Sequence, residues 1–233
     1  MAVRTLCVDL GRMAYLPALD LQHKVVAARQ TGRLPDVLLL VEHDPVITLG
    51  RRARPEHILL PSEALAQAGI EVHAVERGGD VTFHGPGQLV GYPILHLQER
   101  GLGAGDYMHH LEEALIGALA DFGLQAGRRR EYPGVWLGRD KVAALGARIE
   151  GGVSYHGFAL NVSTDLRYFQ LIVPCGIRDG GVTSMEQALG RPLAWQAVQE
   201  RVCAHLARVL DMQLEPLSRE GLLALLGDVA PEP

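Results

Sequence analysis

The sequence predicts one domain of the α/β or α+β class, and three observations carry that expectation. Strand and helix signals alternate along the chain with no clear linker between them. Hydrophobic residues make up 48% of the 233, enough for a sizeable core and too many for a disordered chain. No stretch approaches the roughly 20 consecutive apolar residues that a membrane span needs, and no repeat or low-complexity tract interrupts the pattern.

The elements follow in order. Thr5–Leu10 reads as a strand. Pro17–Arg29 reads as a helix, with proline near its first turn and Gly32 just past its end. Asp36–Val41 is a continuous apolar run, the pattern of a central strand buried on both faces. Glu71–Val75 and Gln88–Leu95 are further strands bracketing a glycine-rich loop. Asp106 is the expected cap of a helix carrying Met108, Leu111, Leu115, Leu119 and Phe122, stopped by Gly123. Val135–Leu137, Lys141–Ile149 and Val153–Val162 read as strands, with Glu150-Gly151-Gly152 as a hairpin turn. Leu193–Leu210 has helical periodicity. The domain is expected over residues 1–217, followed by a peripheral tail, 218–233, with a short Leu-rich helix.

Composition narrows function. A net charge of −5 supplies no global basic field to recruit nucleic acid. Met1 to Asp9 lacks the charged start and long apolar run of a signal peptide, and three cysteines is an odd number. Reduced thiols and a cytoplasmic location are therefore expected. Many of the 27 glycines cluster between Gly78 and Gly181, where backbone is expected to lie close to a ligand.

The chemistry centres on Pro174-Cys175-Gly176. Proline pre-sets the backbone and glycine admits close approach, so Cys175 reads as a presented nucleophile. Cys7 and Cys203 lie in apolar segments and read as small buried hydrophobes. A thiol is only a few per cent ionised at neutral pH, so Cys175 needs a cation or base beside it. Lys141, His84 and His156 are the candidates. Lys141 opens the apolar segment Lys-Val-Ala-Ala-Leu-Gly, where a charge is costly unless paired. The segment Arg77-Gly78-Gly79-Asp80-Val81-Thr82-Phe83-His84-Gly85-Pro86-Gly87-Gln88, two glycine clusters around an extended stretch, can form a concave wall of backbone N–H groups. The histidines show no metal-ligand spacing, so no metal site is expected.

Taken together and in order, Val41–Arg51, Arg77–Gln88, Lys141–Gly146, His156–Val162 and Pro174–Met185 closely resemble the lipoyl(octanoyl) transferases, from about Asp9 to Leu210. Ala144 departs from the pattern, where many members carry serine. The resemblance implies an α+β fold: a mixed β-sheet, a second smaller sheet and flanking helices, similar to the catalytic domains of biotin and lipoate protein ligases. It implies that Cys175 takes an octanoyl group from acyl carrier protein as a thioester, with Lys141 as its partner. The group then passes to a lysine of a lipoyl domain, in 2-oxo acid dehydrogenase E2 subunits or the glycine cleavage H protein. Arg77, Gly78, Gly79, Asp80, Val81, Thr82, Phe83 and His84, with Ala144, Leu145 and Gly146 and with Gly157, Phe158 and Ala159, would line the acyl tunnel. No cofactor, nucleic acid or membrane is implied.

Lys141 is expected to favour the Cys175 thiolate before acylation and to act as a base after it. The clusters Arg51, Arg52, Arg54 and Arg128, Arg129, Arg130 are candidate docking patches for acidic carrier proteins. The rival readings are an ATP-dependent lipoate or biotin ligase, which would not need Cys175, and a cysteine thioesterase or amidase, for which water would be the acceptor.

Overall fold

The computed structural model describes residues 2–130, 132–173 and 180–227. The chain opens with β1 (Val3–Met13), crosses over through α1 (Tyr15–Gln30) and returns parallel to β1 as β2 (Asp36–His43). A helical crossover is what parallel neighbours require. β2 shows no alternation because both its faces are covered. Leu38 and Leu40 enter one core cluster, while Val37, Leu39 and Val41 enter another.

The chain then leaves this sheet for β3 (Val46–Leu49), α2 (Ser62–Gln67), β4 (Glu71–Ala74) and β5 (Val81–His84). These strands form a small sheet in the order β4-β3-β5, parallel at the first pair and antiparallel at the second. β6 (Gln88–Ile94) rejoins the large sheet antiparallel to β2. α3 (Ala104–Asp121) precedes an antiparallel meander of β7 (Gly127–Arg129), β8 (Tyr132–Leu137), β9 (Asp140–Glu150) and β10 (Val153–Asn161), and β10 pairs back onto β6. After a 3-10 turn (Leu166–Leu171) come α4 (Met185–Leu189), α5 (Trp195–Val209), β11 (Met212–Pro216) and α6 (Arg219–Leu226). The large sheet reads β11-β1-β2-β6-β10-β9-β8-β7. The class is α+β, with two mixed sheets and flanking helices.

Several expectations change. Asp106 does not cap α3; Gly103 does, and Asp106 sits in the first turn, where its charge complements the helix dipole. β5 lies inside the segment that reads as a glycine-rich loop, and β3 in a stretch to which the sequence assigns no element, because four-residue strands show too little alternation to register. β11 extends the sheet parallel to β1, an edge that only tertiary pairing reveals. The segment after Leu217 is held against β1 and α1, with the Leu222 side chain fully buried. Cys7 on β1 and Cys203 on α5 are half-buried rather than fully buried. The Glu150-Gly151-Gly152 turn forms as expected, with both glycines at positive φ, +54° and +82°. Among the described residues no helix is long and apolar enough to cross a membrane.

Candidate active site

The site lies where the large sheet meets the small one. β9 and β10 pair Gly157 with Gly146, Phe158 with Leu145 and Ala159 with Ala144. Over this hairpin lies the Arg77–Gly79 loop, tied down by the Gly78 N–H donating to the Ala147 carbonyl at 3.0 Å. The approach explains the glycine at 146: a Cβ there would stand 2.9 Å from the Gly78 carbonyl oxygen. At 157 a Cβ would stand 2.3 Å from the Gly91 oxygen of β6.

Between these layers is a narrow cavity of about 40 Å³. Of the residues expected to line it, Arg77, Gly79, Thr82, His84, Ala144, Leu145, Gly146, Gly157, Phe158 and Ala159 do so. Four do not. Val81 and Phe83 alternate to the other face of β5 and pack with Ile47 and Phe169. Asp80 pairs with the His57 ring at 2.6 Å. Gly78 faces a neighbouring pocket beside Arg51 and Arg148. Tyr15, Val90, Tyr92 and His156 complete the wall; Tyr15 comes from the start of α1, too distant in sequence for any local pattern to announce.

The buried polar groups around the cavity are cross-linked. Arg77 donates to the Thr48 side chain and carbonyl and to the Asp80 carbonyl, so its guanidinium holds the loop on β3. Gln88 donates through Nε2 to the Phe83 carbonyl and to Asn161, which leaves its Oε1 to accept from His84 Nδ1 at 2.7 Å. That assigns the His84 proton to Nδ1. His43 donates from Nδ1 to the Met13 carbonyl and accepts from the Tyr92 hydroxyl at 2.7 Å. Burial pushes His84 and His156 down to about 3 and His43 to about 4, so all three are neutral at physiological pH. His156 holds a positive φ of 55° for a non-glycine residue, and its buried Nε2 makes no hydrogen bond among the described residues. Neutral rings of this kind are poor sources of a cation for a thiolate.

Lys141 is the second residue of β9 and is 6% exposed. Its Nζ donates to the Pro133 carbonyl at 3.1 Å and lies 4.9 Å from the centroid of the Trp136 ring. Its backbone is clasped by the segment that follows Cys175 in sequence: the Lys141 N–H donates to the Gly181 carbonyl, and the Thr183 N–H donates to the Lys141 carbonyl, each at 2.9 Å. Asn161 holds the same segment through the Thr183 carbonyl at 3.0 Å. Lys141 opens onto a cleft of about 700 Å³ lined by Thr164, Asp165, Phe169, Gly181 and Val182. Cys175, with all of residues 174–179, lies outside the described residues. Among the described residues no group of three or more His, Cys, Asp or Glu side chains comes together as a metal site.

The candidate docking arginines divide. Arg51, Arg52 and Arg54 are exposed. Arg128 pairs with Glu112 at 2.9 Å, and Arg129 stacks against Tyr132 and Trp136. Glu112 itself is a functional candidate the sequence reading missed. Its signal was a carboxylate between Met108 and Leu115 on the apolar face of α3.

A family profile described as "Lipoyl protein ligase A/B catalytic domain" matches residues 14–207. An octanoyltransferase of Solibacter usitatus is 48% identical over 215 residues, 92% of this chain and 97% of its own. In fold, the chain is similar to a bipartite lipoate protein ligase of Thermoplasma acidophilum, at 16% identity and a TM-score of 0.72, covering 98% of this chain and 91% of that one. It is less similar to biotin protein ligase of Aquifex aeolicus, at 13% identity and a TM-score of 0.53, covering 89% and 70%. The chain belongs to the lipoyl protein ligase A/B catalytic-domain family, and within it to the octanoyltransferases.

Proposed function

We propose that this chain moves an octanoyl group from an acyl-carrier-protein thioester to a lysine of a lipoyl domain, with Cys175 as nucleophile and Lys141 as its proton partner. The acceptors would be the lipoyl domains of 2-oxo acid dehydrogenases and of the glycine cleavage system. The observation that carries the reading is Lys141: a buried ammonium whose backbone is hydrogen-bonded to the segment following Cys175. A cation so placed favours the thiolate form of a neighbouring cysteine.

In the first half-reaction the Cys175 thiolate attacks the donor thioester, a new C–S bond forms, the donor's acyl C–S bond breaks, and the carrier's thiolate leaves with the proton of Lys141, which becomes a neutral amine. In the second, the acceptor amine attacks, an amide bond forms, and Cys175 leaves as thiolate. An ordinary lysine is neutral in only about one molecule in a few thousand at pH 7. Its proton must therefore be taken. Once Cys175 is a neutral thioester, Lys141 has lost its anionic neighbour and its own pKa falls; the acceptor ammonium gives its first proton to solvent, and Lys141 takes the second as the amide forms, which restores the thiolate–ammonium pair.

The cavity between β5, β9 and β10 is the tunnel for the acyl chain. At about 40 Å³ it is far smaller than a typical small-molecule pocket of roughly 300–1,000 Å³. It must therefore widen around an eight-carbon chain, and the Phe158 and Tyr15 side chains form part of the wall that has to give way.

The test is intact-mass analysis after mixing the protein with octanoyl carrier protein and no ATP. One octanoyl adduct is expected, absent in Cys175→Ser and discharged by an added lipoyl domain with amide formation. Discharge to water alone would select a thioesterase, and modification that requires free octanoate plus ATP would select a ligase.

A further inference from the structure

Glu112 is a carboxylate buried to 6% exposure on α3, and both its oxygens are engaged. Oε2 accepts from Arg128 Nε at 2.9 Å, and Oε1 accepts from the Gly134 N–H at 3.0 Å. That N–H belongs to the same peptide group as the Pro133 carbonyl, which accepts from Lys141 Nζ at 3.1 Å. One planar amide thus stands between an anion and a cation, its N–H toward the first and its C=O toward the second. We propose that Glu112 is a positioning residue for Lys141, acting through the Pro133–Gly134 peptide. The proposal rests on the reading of Lys141 as the proton partner of Cys175.

Hydrogen bonds in a chain polarise one another. A carboxylate on the N–H end places more negative charge on the carbonyl oxygen, which strengthens its hold on the ammonium. The orientation of the peptide depends on glycine: Gly134 has φ +138°, and a Cβ there would stand 2.8 Å from the Ala143 oxygen and 3.1 Å from Lys141 Cε.

The other charges around Lys141 act differently. Arg129 on β7 lies over the same Trp136 ring, at 4.8 Å, and its like charge opposes the ammonium. Tyr132 on β8 packs under Arg129. Asp165 and Arg167, across the cleft, pair with each other. Asp140, next to Lys141 on β9, accepts from the Gly181 N–H. Arg128 partly neutralises Glu112, so two substitutions should act with opposite sign. Glu112→Gln keeps an acceptor for the Gly134 N–H but removes the charge, which favours neutral Lys141. Arg128→Met keeps the carboxylate and both peptide hydrogen bonds but unmasks the charge, which favours the ammonium.

The chain has two lysines, Lys24 and Lys141, so NMR of lysine-labelled full-length protein resolves each titration. Lys24, exposed on α1, is the internal reference. Glu112→Gln should lower the Lys141 midpoint by about half a pH unit to one unit. Arg128→Met should raise it by a smaller amount, and Lys24 should stay fixed in both. A purely structural role for Glu112 predicts no such opposition of sign. The proposal is overturned if the Lys141 midpoint is unmoved in Glu112→Gln, or moves the same way in both variants. The pH profile of adduct discharge, read alongside, separates the two claims. A midpoint that moves while that profile stays put supports the Glu112 relay and removes Lys141 from proton transfer. A midpoint that stays while Lys141→Ala abolishes discharge overturns the relay and leaves the role of Lys141 standing.

Discussion

Gly134 and Lys141 compete for the same space, which makes position 134 a sensitive probe of the site. An alanine there would need φ near +138° and would press against Lys141 Cε and the Ala143 carbonyl. The backbone strain alone costs about 1–3 kcal/mol, and relief of the clash must push the lysine off the Pro133 carbonyl. Gly138, in the turn between β8 and β9, also has a positive φ, +61°, but a Cβ there meets nothing within 4 Å. Gly134→Ala is therefore expected to lower the unfolding temperature and to slow octanoyl-adduct formation more than tenfold. Gly138→Ala should bring only the left-handed cost of roughly 1–2 kcal/mol, with adduct formation intact. Calorimetry and timed intact-mass analysis of both variants provide the check, and equal rates would mean that the lysine tolerates displacement.

At the scale of elements, the end of β10 ties the strand bordering the cavity to the segment bordering the cleft. Asn161 accepts from Gln88 on β6 and donates to the Thr183 carbonyl just ahead of α4. Asn161→Ala leaves that carbonyl without its donor, at a cost of about 1–3 kcal/mol. Hydrogen exchange at residues 180–184 should then accelerate while the β9–β10 pairing stays protected; unchanged exchange there would show that the Lys141 backbone bonds suffice alone. How much of this was legible in the sequence follows from the range of the interactions. β2, β9, β10 and the Gly151-Gly152 turn could be read directly, because continuous burial, apolar patterning and a two-glycine turn are local. Lys141 stood out because a charge inside an apolar strand demands a partner. Tyr15, Tyr92 and Glu112 did not, since each reaches its role through side chains brought together only by the packing of separate elements. Val81 and Phe83 belong to the range Arg77–His84 that the resemblance assigns to the acyl chain, whereas β5 alternates and turns their side chains to the opposite face, against Ile47 and Phe169.

For the molecule as a whole, the seam between the two sheets is built from Tyr15, His43, His84, Tyr92 and His156, whose rings lie within 6.4 Å of one another in successive pairs. Its histidines are held neutral by burial, at about 4 for His43 and about 3 for His84 and His156, against about 6.5 for each in the unfolded chain. A histidine whose folded pKa is depressed binds fewer protons folded than unfolded at any pH between the two values. Its contribution is therefore complete above about pH 6.5 and is lost progressively as pH falls toward 4 and then 3. Each group removes about 1.4 kcal/mol per pH unit in that window, so three together remove about 4 kcal/mol per unit. Against a typical total of about 5–15 kcal/mol, the roughly 6 kcal/mol lost between pH 6.5 and pH 5 is a large fraction. Urea unfolding between pH 8 and pH 5 reads this directly. His84→Gln, which removes one of the three titrating groups, should reduce the slope below pH 6.5 by about a third. A stability that stays flat from pH 7 to 5 would mean that the seam admits protonated histidine without opening, and the reading of these three rings as held neutral by burial would have to be abandoned.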